Sequence, residues 1–289
     1  MTFELVIIPV IAFITTYLVT PRVIRLFKLE GLVGYDVNKK KKTRVVDTSG
    51  PSVLFGFLGG CLTFVFLKVF LYDDTSGLIT LFAATTSIFM IMLNGLLEDM
   101  TSLIKKNKKR EGAKKYKRMG FSQWVFPLLP LPAAIPLMAV RAGSTTMALP
   151  LIGAVDFGII YILLLIPIAI TGAANATNML GGINGVEVLM GAIATLSLGV
   201  YAFLNNSLVG SIIAISYSFA LFALLNYNWF PARVFPGDSV NFTTGAVIAV
   251  VAIVSNVEKF ALILFIPWAV EFFLKLRSRF KAECFGKPG

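Results

Sequence analysis

Residues 151–204 read LIGAVDFGIIYILLLIPIAITGAANATNMLGGINGVEVLMGAIATLSLGVYAFL, two long apolar runs joined by the polar, glycine-rich run 175–187. The joining run holds three carboxamides, one carboxylate and three glycines. Polar side chains are costly where they face lipid, so polar residues at the boundary of an apolar segment indicate a function. The pattern predicts helices that cross a membrane, with a functional site between two of them.

The composition of the whole chain also indicates a membrane protein. Hydrophobic residues make up 57% of the 289 residues and charged residues only 14%, whereas a soluble domain carries about 25% charged residues. The apolar runs reach the roughly 20 residues that a membrane-spanning helix needs, and they lack the alternation of a membrane β-barrel. We therefore expect an all-α fold, a polytopic membrane helical bundle in which residues 1–289 form a single domain.

Nine apolar runs are long enough to be spans. They cover residues 3–20, 52–71, 78–97, 121–140, 151–171, 185–204, 208–228, 239–255 and 259–276. With nine spans, most of the 26 lysines and arginines fall on one side of the membrane, in residues 21–51, 98–120 and 272–289. The positive-inside rule makes that side cytoplasmic. The amino terminus is then expected outside and the carboxyl terminus in the cytoplasm.

The net charge of +11 raises the question of a nucleic-acid partner, but the charge is concentrated in the loops of one side. Membrane topology and attraction to anionic lipid headgroups explain such loops. We expect contact with the lipid bilayer and no nucleic acid. The chain has no histidine, and its two cysteines lack the spacing of a disulfide or a zinc site. Any metal is therefore expected to be a hard cation held by oxygen.

Four polar clusters fall on the side that is predicted to be cytoplasmic. They are residues 36–39, 94–99, 175–187 and 235–238. Because no soluble domain of usable size is present, we expect the chemistry to take place on the short loops and helix ends of this face.

Glu98 and Asp99 are predicted to close the third span at its carboxyl end. The helix dipole disfavours carboxylates there by about 0.3–1 kcal/mol each, a cost that a nearby metal or the lysines that follow would offset. Neighbouring helical residues point in different directions, so one acid is free to face a cleft while the other faces the loop. A solvated helix end is the alternative interpretation. Asn94 lies four residues before Glu98 and extends the same polar face.

Asn175 and Asn178 are three residues apart and share one face of a helix. Their side-chain oxygens suit Mg²⁺, with Mn²⁺ as a second candidate, because both are hard cations that take oxygen ligands. The alternative is that these asparagines join helices by hydrogen bonds. Gly181, Gly182 and Gly185 let the backbone approach a ligand closely, and they fit a broken helix that lines a cavity.

Asp238 comes directly before the eighth span, a position where aspartate is also a preferred helix N-cap. A cap alone is one interpretation. The other is a carboxylate ligand for magnesium at the amino end of a helix, where phosphates are also favoured. Phe235 beside it offers a flat ring on which a base could stack.

These motifs together resemble those of the polyprenyl-phosphate N-acetylhexosamine-1-phosphate transferases, or glycosyltransferase family 4. Residues 175–187 are similar, position for position, to the N-A-x-N-x-x-x-G-x-N-G-x-E motif of the eukaryotic and archaeal branch that acts on dolichyl phosphate. Residues 235–238 match the F-x-G-D motif of that branch. The resemblance covers nearly the whole chain, with Glu98 standing where the family has the first of two aspartates.

The resemblance implies a reaction in which N-acetylglucosamine-1-phosphate passes from UDP-N-acetylglucosamine to a polyprenyl (dolichyl) phosphate, with release of UMP. This would be the first step of lipid-linked glycan assembly, for protein N-glycosylation or for a cell-surface polymer. The resemblance implies an active site on the cytoplasmic face of the plasma membrane of an archaeon or a bacterium, or of the endoplasmic reticulum membrane in a eukaryote. A homodimer is compatible with it.

The resemblance also implies roles for individual residues. Catalytic roles fall to Glu98, Asp99 and Asp238, magnesium binding to Asn178 and Asp238, substrate binding to Val37, Asn38, Lys108, Gly182, Asn184 and Phe235, and supporting roles to Asn94, Asn175 and Glu187. The alternative from a different class is a transporter or channel whose cation site lies at a broken helix and is built from Asn178 and Asp238. A non-catalytic membrane scaffold or lipid-binding relative is the third hypothesis.

Overall fold

The computed structural model describes residues 4–39, 43–110, 128–149 and 153–279. The described chain is mostly helical. Its helices are α1 (Glu4–Leu29), α2 (Gly50–Phe66), α3 (Leu78–Arg110), α4 (Ile135–Ala139), α5 (Ile166–Thr177), α6 (Val186–Leu204), α7 (Leu208–Asn228), α8 (Gly237–Ser255), α9 (Glu258–Leu264) and α10 (Ile266–Arg277). A π-helical turn, Leu67–Leu71, extends α2, and another, Tyr161–Leu165, leads into α5.

Six of the described helices are long and apolar enough to cross a membrane. They cover Val6–Leu29, Gly50–Leu71, Leu78–Ser102, Val186–Leu204, Leu208–Asn228 and Gly237–Ser255, and a shorter apolar helix covers Tyr161–Thr177. This is the pattern of a polytopic membrane helical protein, as the sequence predicts. The count of nine spans and the orientation of the termini stay predictions.

The last predicted span, residues 259–276, is not one helix but two. The helix α9 ends at Leu264 and α10 begins at Ile266, with Pro267 in its first turn. Proline has no backbone N–H and clashes with the preceding turn, so a continuous helix through this position is strongly disfavoured. The break was readable from the proline and was missed because the whole run is apolar.

Two other predicted spans are only partly helical within the described residues. In the predicted span 121–140, residues 121–127 lie outside the described chain, and the rest forms a 3₁₀ turn, Leu131–Ala134, followed by the short helix α4. In the predicted span 151–171, residues 151 and 152 lie outside the described chain, and a strand precedes the helical part. Prolines at 130, 132 and 136 account for the irregular first case.

The described chain also contains four short strands that an all-α prediction leaves out. They are β1 (Val33–Asp36), β2 (Thr43–Val46), β3 (Thr146–Leu149) and β4 (Gly153–Asp156). The strands form two antiparallel hairpins, β1–β2 and β3–β4. Val46 of β2 also forms a parallel bridge with Val234, just ahead of α8. The first hairpin is thereby fastened to the segment that leads into α8.

The helix α8 forms the centre of the bundle. Its span is 78% buried, more than any of the other five spans. A glycine on α3, Gly95, allows the two helices to approach closely, because a Cβ at this position would lie 2.5 Å from the Ser239 Cα. This contact holds the first turn of α8 against α3, one turn before the predicted pair Glu98 and Asp99.

Candidate active site

A polar cavity of 550 Å³ opens at the end of the bundle where α8 begins. It is lined by the β1–β2 hairpin, the α5–α6 connection, the first turn of α8 and the last turns of α10. The predicted residues that line it are Val37, Asn38, Asn178, Gly182, Asn184, Glu187, Phe235 and Asp238. Three of the four polar clusters predicted from the sequence therefore meet in one cavity.

The connection between α5 and α6 is shaped by the carboxylate of Glu187. Its Oε1 accepts a hydrogen bond from the Gly182 backbone N–H at 2.7 Å, and its Oε2 accepts one from the Asn241 side chain at 2.8 Å. The Asn241 amide also lies 3.5 Å from the Asn178 side-chain oxygen. Glu187 thus ties the glycine-rich loop to α8, and Asn241 is a residue of this network that the sequence prediction did not include.

The first hairpin joins the same loop through Asp36, whose side chain is fully buried. One carboxylate oxygen accepts from the Asn38 backbone N–H at 2.9 Å and the other from the Asn184 amide at 3.0 Å. The Lys39 ammonium pairs with this carboxylate at 3.2 Å. Asn38 in turn donates to the Gly182 carbonyl at 3.0 Å. The predicted nucleotide-binding residues Asn38, Gly182 and Asn184 are therefore held together by Asp36.

Asn228, at the end of α7, fixes the remaining side of the loop. Its side-chain oxygen accepts from the Gly185 backbone N–H at 3.0 Å, and its amide donates to the Val234 carbonyl at 2.9 Å. The residue is 1% exposed, so both bonds are shielded from water. Sequence reasoning missed Asn228 because an isolated asparagine at the end of an apolar helix carries no local motif.

Asp99 lies behind the cavity and caps α8. Its carboxylate accepts hydrogen bonds from the backbone N–H groups of Asp238, at 2.7 Å, and Ser239, at 3.1 Å. Both N–H groups belong to the first turn of α8, where no carbonyl of the same helix can accept their hydrogen bonds. Asp238 itself is not the N-cap, because the helix begins at Gly237 and the cap position is occupied by Pro236. The cap interpretation of Asp238 was wrong, and its carboxylate lines the cavity instead.

The prediction that Glu98 and Asp99 close a helix is also wrong. The helix α3 continues to Arg110, so the two acids lie within it and the dipole argument does not apply to them. Lysine and arginine are good helix formers, and the polar end of α3 extends the helix beyond its apolar part. Asp99 is buried and Glu98 is half-buried, and the expectation that one of the two acids faces a cleft stays a prediction.

Besides Asp99, three predicted residues with described side chains lie outside the lining of the cavity. Glu98 is one; the second, Asn94, donates to the Leu129 carbonyl at 2.9 Å, and the third, Asn175, donates to the Thr171 carbonyl one turn back in α5 at 2.8 Å. Both asparagines hydrogen-bond to backbone carbonyls, and the Asn175 bond lies within its own helix, so their supporting roles stay predictions. Lys108 belongs to the helix α3, and its side chain is outside the described part of the structure.

Lys275, in α10, lines the cavity and was not among the predicted residues. Its ammonium group donates to the Met179 carbonyl oxygen, just beyond the end of α5. The sequence signal was a lysine in the last turn of a mostly apolar helix, close to Glu271 and Arg277.

The oxygen atoms of the cavity fit a hard cation whose remaining ligands come from a bound phosphate and from water. Within residues 4–39, 43–110, 128–149 and 153–279, no three acidic, histidine or cysteine side chains lie close enough to hold a metal by themselves. The cavity does offer the Asp238 carboxylate and the Asn178 amide oxygen. Mg²⁺ is commonly held by one or two carboxylates, with phosphate oxygens and water completing its shell.

An apolar cavity of 610 Å³ lies beside the polar one. Its walls are faces of α5, α8, α9 and α10, including Ala173, Ala249, Leu262 and Phe273. Met179 lines both cavities. The two spaces therefore adjoin at the carboxyl end of α5, so that a molecule with a polar head and an apolar tail would fit across them.

Comparison with known proteins gives a consistent result. A model described as glycosyl transferase family 4 matches residues 81–256. A Saccharolobus solfataricus protein named "Putative UDP-N-acetylglucosamine–dolichyl-phosphate N-acetylglucosaminephosphotransferase" is 33% identical over 279 residues, covering 96% of this chain and 79% of the relative. A Dictyostelium discoideum protein named "UDP-N-acetylglucosamine–dolichyl-phosphate N-acetylglucosaminephosphotransferase" is 29% identical, with 92% and 70% covered. A phospho-N-acetylmuramoyl-pentapeptide-transferase of Streptococcus mutans is 28% identical, with 91% and 76% covered.

Proposed function

This chain belongs to glycosyl transferase family 4, and on that premise we propose that it transfers N-acetylglucosamine-1-phosphate from UDP-N-acetylglucosamine to a polyprenyl, in particular dolichyl, phosphate. The products are a lipid-pyrophosphate-sugar and UMP. The observation that carries the proposal is the meeting of a polar and an apolar cavity at Met179, which suits a nucleotide-sugar on one side and a lipid phosphate on the other.

The nucleotide is assigned to the hairpin side of the polar cavity. Gly182, Asn184 and Phe235 bind uracil, and Val37 and Asn38 complete the uridine pocket. The hydrogen bonds that connect Asn38 with Gly182 and Asn184 with Asp36 support this assignment, because a preformed pocket loses less entropy when it binds its ligand.

Asp238 and Asn178 are assigned to magnesium, with manganese as a substitute. The cation supplies charge neutralisation and a template for displacement at phosphorus. The position of Asp238 is set by Asp99, which holds the first turn of α8 through two backbone hydrogen bonds. Asp99 is therefore proposed as a positioning residue. Glu98 and Lys108, the other predicted residues of this region, keep their proposed roles in catalysis and phosphate binding.

The reaction itself requires positioning more than covalent help from the protein. An oxygen of the acceptor phosphate attacks the phosphorus that bears the sugar. The bond from that phosphorus to the bridging oxygen breaks, and the electron pair leaves with UMP. The acceptor phosphate is largely ionised at neutral pH, so a strong general base is not required.

The isoprenoid tail of the acceptor is assigned to the apolar cavity between α5 and α10. Burial of apolar surface is favourable by about 25 cal/mol per Å², so this wall of small and aromatic side chains retains a tail without recognising its length. Two polar residues, Tyr161 and Glu258, also line this cavity. Their side chains are hydrogen-bonded to each other at 2.7 Å.

We place the polar cavity at the cytoplasmic face, with nine crossings and the amino terminus outside. Described basic residues at the cavity end of the bundle include Lys28, Lys39, Arg44, Arg233 and Lys275, whereas Lys68, Arg141 and Lys259 lie at the end where α8 stops. This asymmetry supports the orientation through the positive-inside rule. The reaction then begins the assembly of a lipid-linked glycan in the plasma membrane of an archaeon or bacterium, or in the endoplasmic reticulum. The homodimer and the single domain stay predictions.

The proposal is tested with purified protein, magnesium, labelled UDP-N-acetylglucosamine and a polyprenyl phosphate. We expect labelled lipid and UMP in equal amounts. Asp238→Asn should lower turnover by about 100-fold or more, since it removes charge from a site of electrostatic catalysis. Wild-type protein that binds UMP but forms no product would refute the transferase. Flux of a cation through vesicles that contain the protein, without UMP release, would favour the transporter.

A further inference from the structure

We propose that Lys275 binds the phosphate of the acceptor lipid at the junction of the two cavities. This inference rests on the proposed function and assigns one of its substrates to a residue. Lys275 lies on α10, which contributes to both spaces: Lys275 lines the polar cavity, and Phe272 and Phe273, three and two residues earlier, line the apolar one. Residues three apart on a helix are neighbours on its surface.

The ammonium group is held at this border by the chain itself. It donates a hydrogen bond to the carbonyl oxygen of Met179, the residue that both cavities share. The Lys275 side chain is 17% exposed, so its charge is largely shielded from bulk solvent. An ion in such a setting interacts with a neighbouring charge more strongly than one at the open surface.

The ammonium still has hydrogen-bonding capacity for a ligand. A lysine has three N–H donors, and in the described part of the chain one of them is used, by Met179. The nearest carboxylate, that of Glu271, lies 3.6 Å away, longer than a good charged hydrogen bond of about 2.7–2.9 Å. A phosphate oxygen could therefore approach the ammonium without breaking the bond to Met179.

The Lys275 ammonium carries a positive charge in a cavity whose other described charged residues are acidic. The cavity is lined by the carboxylates of Asp47, Glu187 and Asp238, and among its described lining residues Lys275 is the only basic one. Lysine binds phosphate as a point charge. An anionic headgroup that enters from the apolar side meets Lys275 at the border of the two cavities, beside Met179.

The position of Lys275 favours the acceptor over the nucleotide-sugar. The nucleotide is assigned to the side formed by Asn38, Asn184 and Phe235, which belong to the hairpin, the α5–α6 connection and the segment before α8. Lys275 comes from α10, together with the aromatic wall of the apolar cavity. A tail in the apolar cavity brings its own phosphate to the Met179 end.

The test compares Lys275→Gln, Lys275→Arg and a control, Lys259→Gln, in the full chain. Glutamine keeps a donor for the Met179 carbonyl but removes the charge, and Lys259 is an exposed lysine of α9 at the opposite end. We expect Lys275→Gln to raise the KM for polyprenyl phosphate about tenfold, as loss of one charged hydrogen bond predicts. The KM for UDP-N-acetylglucosamine should stay unchanged. Lys275→Arg should recover most of the loss, and the control should match wild type.

A binding measurement makes the result independent of turnover. Farnesyl phosphate should raise the Tm of the wild-type protein more than farnesol does, and Lys275→Gln should abolish that difference while retaining the shift with UMP. An undiminished farnesyl phosphate shift in Lys275→Gln would overturn the proposal, as would equal rises in both KM values, which would indicate a structural role. If Lys275→Gln does not fold, the wild-type protein alone tests the proposal. Equal Tm shifts of the wild-type protein with farnesol and with farnesyl phosphate would overturn it.

These measurements distinguish a wrong role for Lys275 from a wrong reaction. If wild type forms the lipid product and Lys275→Gln has an unchanged acceptor KM, this inference is wrong and the transferase stands. If wild type forms no product but the farnesyl phosphate shift still depends on Lys275, the transferase is wrong and an anion site remains.

Discussion

The two cavities have nearly the same volume, 550 and 610 Å³, but they are built in different ways. The polar one is assembled from loops and helix ends whose side chains hydrogen-bond across the sequence, such as Asn38 to Gly182 and Asn184 to Asp36. The apolar one is bounded by the faces of four helices. One space depends on directional bonds and the other on the packing of surfaces.

This difference implies unequal tolerance of change. In the polar cavity a lost partner leaves a buried donor or acceptor unsatisfied, which costs about 1–3 kcal/mol. In the apolar cavity a changed side chain alters only the area and shape that are available to a tail. Substitutions in the first region should therefore affect turnover and nucleotide binding strongly, and those in the second should affect acceptor binding moderately.

Among substitutions that leave the proposed ligands in place, the largest effect is expected for Gly237→Ala. Gly237 has a φ of +74°, which disfavours any residue with a Cβ, and a Cβ would lie 2.6 Å from the Asp99 Oδ2. Both effects move Asp238, and a shift of about 1 Å in a catalytic group lowers the rate about 100-fold. Turnover is measured as UMP release. Gly158→Ala, at a glycine with a φ of +49° where a Cβ meets nothing within 4 Å, is the matched control, and normal turnover in Gly237→Ala would disprove the close coupling.

A smaller loss, about 10- to 100-fold in kcat, is expected for Asp99→Asn. The asparagine can still accept from one backbone N–H of α8, but its NH₂ group faces the other. Asp74→Asn, a carboxylate that pairs with Lys68 at 2.8 Å far from the cavity, serves as control. If Asp99→Asn raises only the KM for UDP-N-acetylglucosamine and leaves kcat intact, Asp99 does not position Asp238.

Glu187→Gln should raise the KM for UDP-N-acetylglucosamine about tenfold, because one hydrogen bond to a carboxylate is lost. The Glu187 carboxylate accepts from both Gly182 and Asn241, and glutamine has only one acceptor oxygen. Isothermal titration with UMP gives the same information without turnover. Glu30→Gln, at the exposed end of α1, is the control. Unchanged UMP affinity would show that the glycine-rich loop keeps its shape without this carboxylate.

The smallest effect, about a fivefold rise in the KM for polyprenyl phosphate, is expected for Gly172→Leu. Gly172 lines the apolar cavity, and its missing side chain faces open space, so leucine should fit and displace about one methylene of a tail, at about 0.8 kcal/mol. The control is the KM of the same variant for UDP-N-acetylglucosamine, which should stay unchanged. Equal changes in both values would mean that the cavity does not hold the acceptor.

The difference between the two cavities also explains which site residues could be predicted from the sequence. The residues Asn178, Gly182, Asn184 and Glu187 lie within one short run, so their spacing indicated a shared site, and the structure brings them to one cavity. The role of Asp99 could not be read, because its partner Asp238 is 139 residues away. No motif marks such a contact. The apolar cavity was missed altogether, since its residues look like ordinary span residues.

The errors in the predicted fold come from relying on apolarity alone. Hydropathy places the end of the third span at residue 97, whereas α3 continues to Arg110 because charged residues are also good helix formers. Hydropathy likewise gives one span for 259–276, where Pro267 separates two helices. The short hairpin β1–β2 carries too few residues for a pattern of alternation, and its bridge to Val234 depends on tertiary contact.

The hydrogen bond between Asp36 and Asn184 has a consequence for how the protein is made. The two residues are 148 positions apart, and a ribosome that adds roughly 5–20 residues per second needs about 7–30 s to cover that distance. During this interval the Asp36 carboxylate must be solvated by water or by another group. The last wall of the cavity, α10, is synthesised later still. A partly translated chain therefore has no complete binding site, so nucleotide-sugar and lipid phosphate are brought together only by a chain whose helices are nearly all in place.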